Sequence, residues 1–199
     1  IGIALFPGDA SDFAHLMQRA DVAMYVAKAG RTGVEVYDPG KDRNSTARLS
    51  LYSELRRGLA EGALEMHYQP KVGLTDERPL GLEALARWHH PSRGLLTPDE
   101  FMPVVEQSNL LRSFTAEVLD ITLAQVARWR RQGMEMPVAV NLGVRELLDP
   151  ELPGTVAAAL REYGVPPGQL VLEIGEDALI ADTAAATEAI HALHRLGVD

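Results

Sequence analysis

From Leu64 onward, short and almost unbroken apolar runs alternate with longer segments of helical period. Leu64, Met66 and Tyr68 alternate with polar neighbours. Leu80 to Trp88, Pro137 to Leu142 and Leu170 to Ile174 are the further strand candidates. Between them lie helical patterns over Leu111 to Arg131, Glu151 to Tyr163 and Thr183 to Leu196, stopped by Gly133, Gly164 and Gly197. Thr97-Pro98-Asp99-Glu100 supplies a capping box with Pro at the first helical position. Strands apolar throughout must be covered on both faces, so the rhythm predicts an α/β chain with a parallel sheet under helices. A doubly wound sheet and a (β/α) barrel both satisfy it. Eight strand-helix units need about 250 residues, and roughly 150 remain after residue 50, so a barrel here is partial.

The chain before Leu64 has a different character. Ile1 to Pro7 reads as a strand ending in a turn. From Ser11, residues Phe13, Leu16, Met17, Ala20, Met24 and Ala27 recur at helical spacing up to Gly30, and Val34 to Tyr37 suggests a second short strand. Pro39 to Thr46 is almost free of apolar residues, the composition of an exposed connector. Ala47 to Glu61 is helical in pattern, with Leu49, Tyr52, Leu55 and Leu59 on one face. These readings divide the chain into a strand-helix-strand unit (1–38), a linker (39–50) and an α/β unit (51–199). Its first residue is Ile1, and the chain reads as a piece of a longer polypeptide.

A formal net charge of −9 disfavours nonspecific binding to duplex nucleic acid, which rests on a surplus of Lys and Arg facing phosphates. The absence of cysteine removes disulfides and thiolate metal sites, so a metal must be held by oxygen or imidazole. No run approaches the ~20 apolar residues of a spanning helix, and no signal-peptide pattern opens the chain. A cytoplasmic location is expected, with any membrane anchor lying upstream.

Glu83, Asn141 and Glu173 interrupt three apolar runs near strand ends, between Leu82 and Leu85, Val140 and Leu142, and Leu172 and Ile174. In parallel α/β folds, sites assemble at the C-terminal edge of the sheet. Each residue alone could cap a helix or pair with an arginine. Three on successive strands point to a shared divalent cation, and oxygen ligands suit magnesium or manganese better than zinc. His191 and His194 share a helix face, but no carboxylate pattern accompanies them and a solvated face is the better reading. Arg128, Arg130 and Arg131 suit a helix C-terminus. Trp88, Trp129 and Phe101 read as packing residues.

Tyr68-Gln69-Pro70-Lys71, Gly81-Leu82-Glu83-Ala84-Leu85-Ala86-Arg87-Trp88 with His90-Pro91, and Gly94-Leu95-Leu96-Thr97-Pro98-Asp99-Glu100-Phe101 resemble, in this order, the opening of the EAL domain. Val140-Asn141-Leu142 and Leu172-Glu173-Ile174 with Glu176 continue the resemblance over about 130 residues, which makes the ordered set specific where the three-letter signature is not. The resemblance implies a modified barrel that hydrolyses cyclic-di-GMP to pGpG with two divalent cations, magnesium or manganese. It implies Glu83, Asn141 and Glu173 as metal ligands and Gln69 and Arg87 as substrate contacts. It also implies further catalytic residues, a pair of Asp, a Lys and later Glu residues, beyond Asp199, so the fragment alone is expected to be inactive. Its alternative is a degenerate module that binds cyclic-di-GMP or a partner and regulates. Gly143 and Gly175 stand where the family usually has Ser and Thr. Loss of such supporting hydroxyls can weaken a metal site by about 10- to 100-fold.

Ile1 to Ala4, Arg19 to Tyr25 with Ala27-Lys28, and Gly30-Arg31 resemble the end of a GGDEF domain over about 40 residues. Lys28 and Arg31 match phosphate-contacting positions of that family, but favourable charge at a helix C-terminus is the better reading of them. By this resemblance the parent is a GGDEF-EAL signalling protein with a sensory domain upstream, and a homodimer is one expected form.

Overall fold

A computed structural model describes residues 1–30, 32–175 and 183–199. Its elements are β1 (Gly2–Ile3), α1 (Phe13–Ala29), β2 (Glu35–Val36), α2 (Pro39–Ala60), β3 (Leu64–Val72), β4 (Pro79–His90), β5 (Gly94–Leu96), α3 (Pro98–Glu106), α4 (Leu111–Arg131), β6 (Val138–Leu142), α5 (Val144–Leu147), α6 (Leu152–Tyr163), β7 (Leu170–Ile174) and α7 (Thr183–Leu196). Two compact units divide at Arg57 and Gly58.

In the first unit β1 and β2 form a two-stranded parallel sheet beside α1. Gly2 permits the close approach, because a Cβ there would lie 2.0 Å from the carbonyl oxygen of Ala20. Val22, Ala23 and Tyr37 make the small core, with Ala4 against it. The Arg19 guanidinium lies 5.2 Å above the Tyr37 ring, a cation–π contact. The apolar face expected on α1 is buried only in part. Phe13, Met17 and Met24 are exposed; of the expected face Ala27 is buried, with Val22 and Ala23, which were not expected, beside it in the buried set. A two-stranded sheet covers one side of a helix only, and α1 has apolar residues on more than one. Residues 39–46, expected as an irregular connector, belong to α2; Pro39 stands at its first position, where a proline lacks no hydrogen bond that the helix needs.

The second unit is built on one mixed sheet of order β3-β4-β6-β7, with β5 added to β4. The parallel sheet expected under helices is present in part. β3 pairs antiparallel with β4, and only the β4-β6 and β6-β7 pairs are parallel. Residues 73–78 make the tight turn responsible, with Gly73 and Arg78 joined by a 2.9 Å backbone bond. A connection so short cannot return a parallel strand, whereas α3–α4 and α6 supply the long crossovers that parallel pairing needs.

The register assigns each strand residue to a face. Leu64, Met66 and Tyr68 share one face with Ala84, Ala86, Trp88, Val140 and Leu172. Helices cover this face. Trp88 packs edge-on to Phe101 of α3, Phe101 to Phe114 of α4, and Tyr68 to Trp129 of α4. Trp88 and Phe101 are wholly buried, as a packing role requires. Thr97 opens α3 as expected, its amide donating to Glu100 Oε2 at 2.9 Å. Arg130 near the end of α4 donates to the Gly164 carbonyl that terminates α6. Among the described residues no helix is long and apolar enough to cross a membrane.

Candidate functional site

The opposite face of the same sheet carries the candidate site residues. Gln69 is the register partner of Glu83, Glu83 lies beside Ala139, and Asn141 is the partner of Glu173. Strand parity therefore places Gln69, Glu83, Arg87, Asn141 and Glu173 on one face, together with Lys71. The side-chain amide of Asn141 donates to Glu83 Oε1 at 2.7 Å. Lys71 forms an ion pair with Glu173. Arg87 Nη1 donates to the Ala86 carbonyl at 2.8 Å.

The Lys71–Glu173 contact also reports curvature. β3 and β7 are the two ends of the strand order, three strand spacings or roughly 14 Å apart in a flat sheet. Side chains rising from a flat surface would not meet across it, so the sheet curls toward this face. The curl gathers residues from all four strands.

β4 changes partner along one edge. It pairs with β6 through Leu82–Ala84 and with β5 through Trp88–His90. Leu85 to Arg87 lie between the two pairings, and a cavity of about 570 Å³ opens there. Arg87, Asn141 and Glu173 reach it from the sheet, Gly143 and Gly175 from just past β6 and β7, and Glu146 from α5, while Met66, Ala84, Val140 and Phe114 line its apolar side; Gln69 and Glu83 do not line it. Parting strands at the C-terminal ends of a parallel sheet are where α/β folds hold ligands.

Glu146 is the residue that sequence reading passed over. It is 6% exposed, and its Oε2 has no hydrogen-bond partner among the described residues. Burial pushes its carboxyl above the ordinary glutamate value, and the charge of Glu106 adds to the rise. The signal available was its place three residues after Gly143, the N-cap of α5, where a glutamate reaches back toward the cap. The same geometry bears on Gly143, since a Cβ there would stand 2.5 Å from Glu146 Oε2. The hydroxyl-bearing side chain expected at 143 and the observed carboxylate compete for one space. Among the described residues nothing lies within 4 Å of where a Cβ at Gly175 would stand.

Two carboxylates and an amide oxygen, all hard donors, match magnesium or manganese in chemistry, and magnesium habitually keeps several waters in addition to few protein ligands. Among the described residues no group of three or more His, Cys, Asp and Glu is arranged to hold a metal. Glu83, Asn141 and Glu173 are the oxygen donors that this face of the sheet brings together. His191 and His194 are exposed on α7. Arg31, Glu176 and the Lys28 side chain lie outside the described residues.

The sequence profile of the EAL domain matches residues 53–199. The chain belongs to the EAL domain family. Two curated relatives are similar over the whole length. One is the bifunctional diguanylate cyclase/cyclic di-GMP phosphodiesterase MucR of Pseudomonas aeruginosa, 36% identical over 100% of this chain and 29% of the relative. The other is the cyclic di-GMP phosphodiesterase PdeR of Escherichia coli, 35% identical over 99% of this chain and 30% of the relative. The chain thus spans under a third of each. Among solved structures, the P. aeruginosa MucR phosphodiesterase in complex with c-di-GMP superimposes with a TM-score of 0.72 at 34% identity, covering 75% of this chain and 61% of that one. The EAL domain of Xanthomonas citri FimX in complex with c-diGMP shares the fold, with a TM-score of 0.70 at 22% identity over 78% of this chain and 60% of that one.

Proposed function

We propose that this EAL domain belongs to a phosphodiesterase that hydrolyses cyclic-di-GMP to pGpG, and that Glu83, Asn141 and Glu173 are its share of the metal ligands. The observation that carries the reading is the convergence of Gln69, Glu83, Arg87, Asn141 and Glu173 on one face of a curled sheet, with Asn141 bonded to Glu83 and in register with Glu173. The names of MucR and PdeR supply the substrate class.

Bound magnesium or manganese would polarise the scissile phosphate and lower the pKa of an attacking water. The chain's own residues do the positioning. The Asn141 amide fixes one Glu83 oxygen and so orients the carboxylate. Arg87, half-buried at the gap between β4 and β6, offers a planar guanidinium to a phosphate. Gln69, exposed at the register position of Glu83, offers an amide to the same ligand.

We also read residues 51–199 as the first part of a modified barrel. Asp199 supports this, since its amide and carbonyl bond to Leu170 and Leu172 on the free edge of β7 in the parallel pattern. Residues 1–38 are read as the end of a GGDEF domain and 39–50 as the joint. MucR, a bifunctional cyclase and phosphodiesterase that matches all of this chain, supports that order. A cytoplasmic site of action, an upstream sensory domain and a homodimer complete the proposal for the parent.

The test is turnover of cyclic-di-GMP by the full-length protein with magnesium or manganese, abolished by Glu83→Gln. A folded, metal-saturated protein without turnover overturns it. Gly143 and Gly175, which lack the family's hydroxyls, favour a second reading as a binding module. Calorimetry showing tight binding of cyclic-di-GMP without hydrolysis would select it.

A further inference from the structure

We propose that Lys71 is the resident counter-cation of this site: its ammonium holds Glu173 while no divalent ion is bound, competes with that ion for the carboxylate, and so sets the affinity of the site for metal. The inference rests on the reading of Glu83, Asn141 and Glu173 as ligands.

The two carboxylates have different partners. Glu83 is held by a neutral amide from the adjacent strand, which a ligand carboxylate can keep while it binds metal. Glu173 is held by a full positive charge delivered from a strand at the other end of the sheet, 102 residues away in sequence. A cation that takes Glu173 must displace that charge.

Lysine suits a displaceable role. It is a compact charge on a flexible stem, without the forked geometry that makes arginine pairs persistent. Both side chains are about a third exposed, at 37% and 36%, so water weakens their attraction and the pair is within reach of exchange. A divalent ion brings twice the charge to the same oxygen. Once displaced, the ammonium remains on the face that carries Gln69 and Arg87, where an anionic phosphate becomes its natural partner.

The competing explanation is that the pair only ties β3 to β7 and holds the curl. The two separate cleanly, because a tie lost lowers stability without tightening metal binding. Binding of Mn²⁺ to the full-length protein, read from the electron paramagnetic resonance signal of the free ion, is the measurement. Lys71→Met is expected to bind Mn²⁺ about fivefold more tightly than wild type. Lys71→Arg is expected to bind it no more tightly than wild type. Unchanged or weaker binding by folded Lys71→Met overturns the proposal. If that variant does not fold, the wild-type protein decides. The NMR signal of the Lys71 ε-methylene, assigned by its loss in Lys71→Arg, shifts on addition of Mg²⁺ if the ammonium is displaced, and an unmoved signal overturns the proposal. The underlying ligand reading fails separately, if Glu83→Gln leaves Mn²⁺ affinity at the wild-type value.

Discussion

The two units of this chain use similar apolar side chains to different ends. In the first, Phe13 is 77% exposed and Phe6 is 65% exposed. In the second, Trp88 and Phe101 are fully buried. Composition does not separate these regions; covering layers do. A two-stranded sheet gives α1 one surface to pack on, and the remaining apolar residues stay in solvent. The larger sheet takes α3 and α4 on one face and leaves the other for polar residues. Many exposed apolar side chains in one small unit are what an interaction face provides, and for the first unit the proposed remainder of a GGDEF domain is the element to cover them.

The largest expected effect lies in the helix-covered core. Trp88→Ala should destabilise the second unit by about 3–5 kcal/mol, measured by urea unfolding. A loss below about 1 kcal/mol would mean that the Trp88–Phe101–Phe114 stack carries little of the packing assigned to it.

A middle effect belongs to Glu146. Its folded pKa is raised above the unfolded value, so the folded state holds its proton to higher pH. The corresponding stability is present in full below the unfolded value near 4.5 and is lost as pH rises through the raised folded value. Glu146→Gln should flatten that part of the stability curve. An unchanged slope in urea titrations across this window would refute the assignment.

The smallest effect is expected in the first unit. Phe13→Ser should change unfolding stability by no more than about 0.5 kcal/mol while reducing self-association in sedimentation runs of the isolated chain. That chain is expected to self-associate through its exposed apolar surface and open strand edges. A large loss of stability would show that Phe13 is packed, and the contrast between the units would fall.

Much of the fold was legible because it is local. Leu111–Arg131, Leu170–Ile174 and Thr183–Leu196 begin and end where periodicity and glycine stops place them, and Thr97 opens α3 through the capping pattern. Glu83, Asn141 and Glu173 stood out as polar residues among apolar strand neighbours. Glu146 did not, since its one local signal, the place three residues after the N-cap Gly143, tells of capping and not of burial.

What the sequence alone determined, then, was the period of each element, its breaks, and the oxygen-donor chemistry that strands bring to their ends. Period and capping arise within a few residues, where local backbone and side-chain sterics decide. Tertiary structure alone decided the reversed direction of β3, the buried side of α1, the cavity where β4 and β6 part, and the meeting of Lys71 with Glu173. Each depends on contacts between segments far apart in sequence. Only the register and curl of the sheet could turn six scattered polar residues into one face.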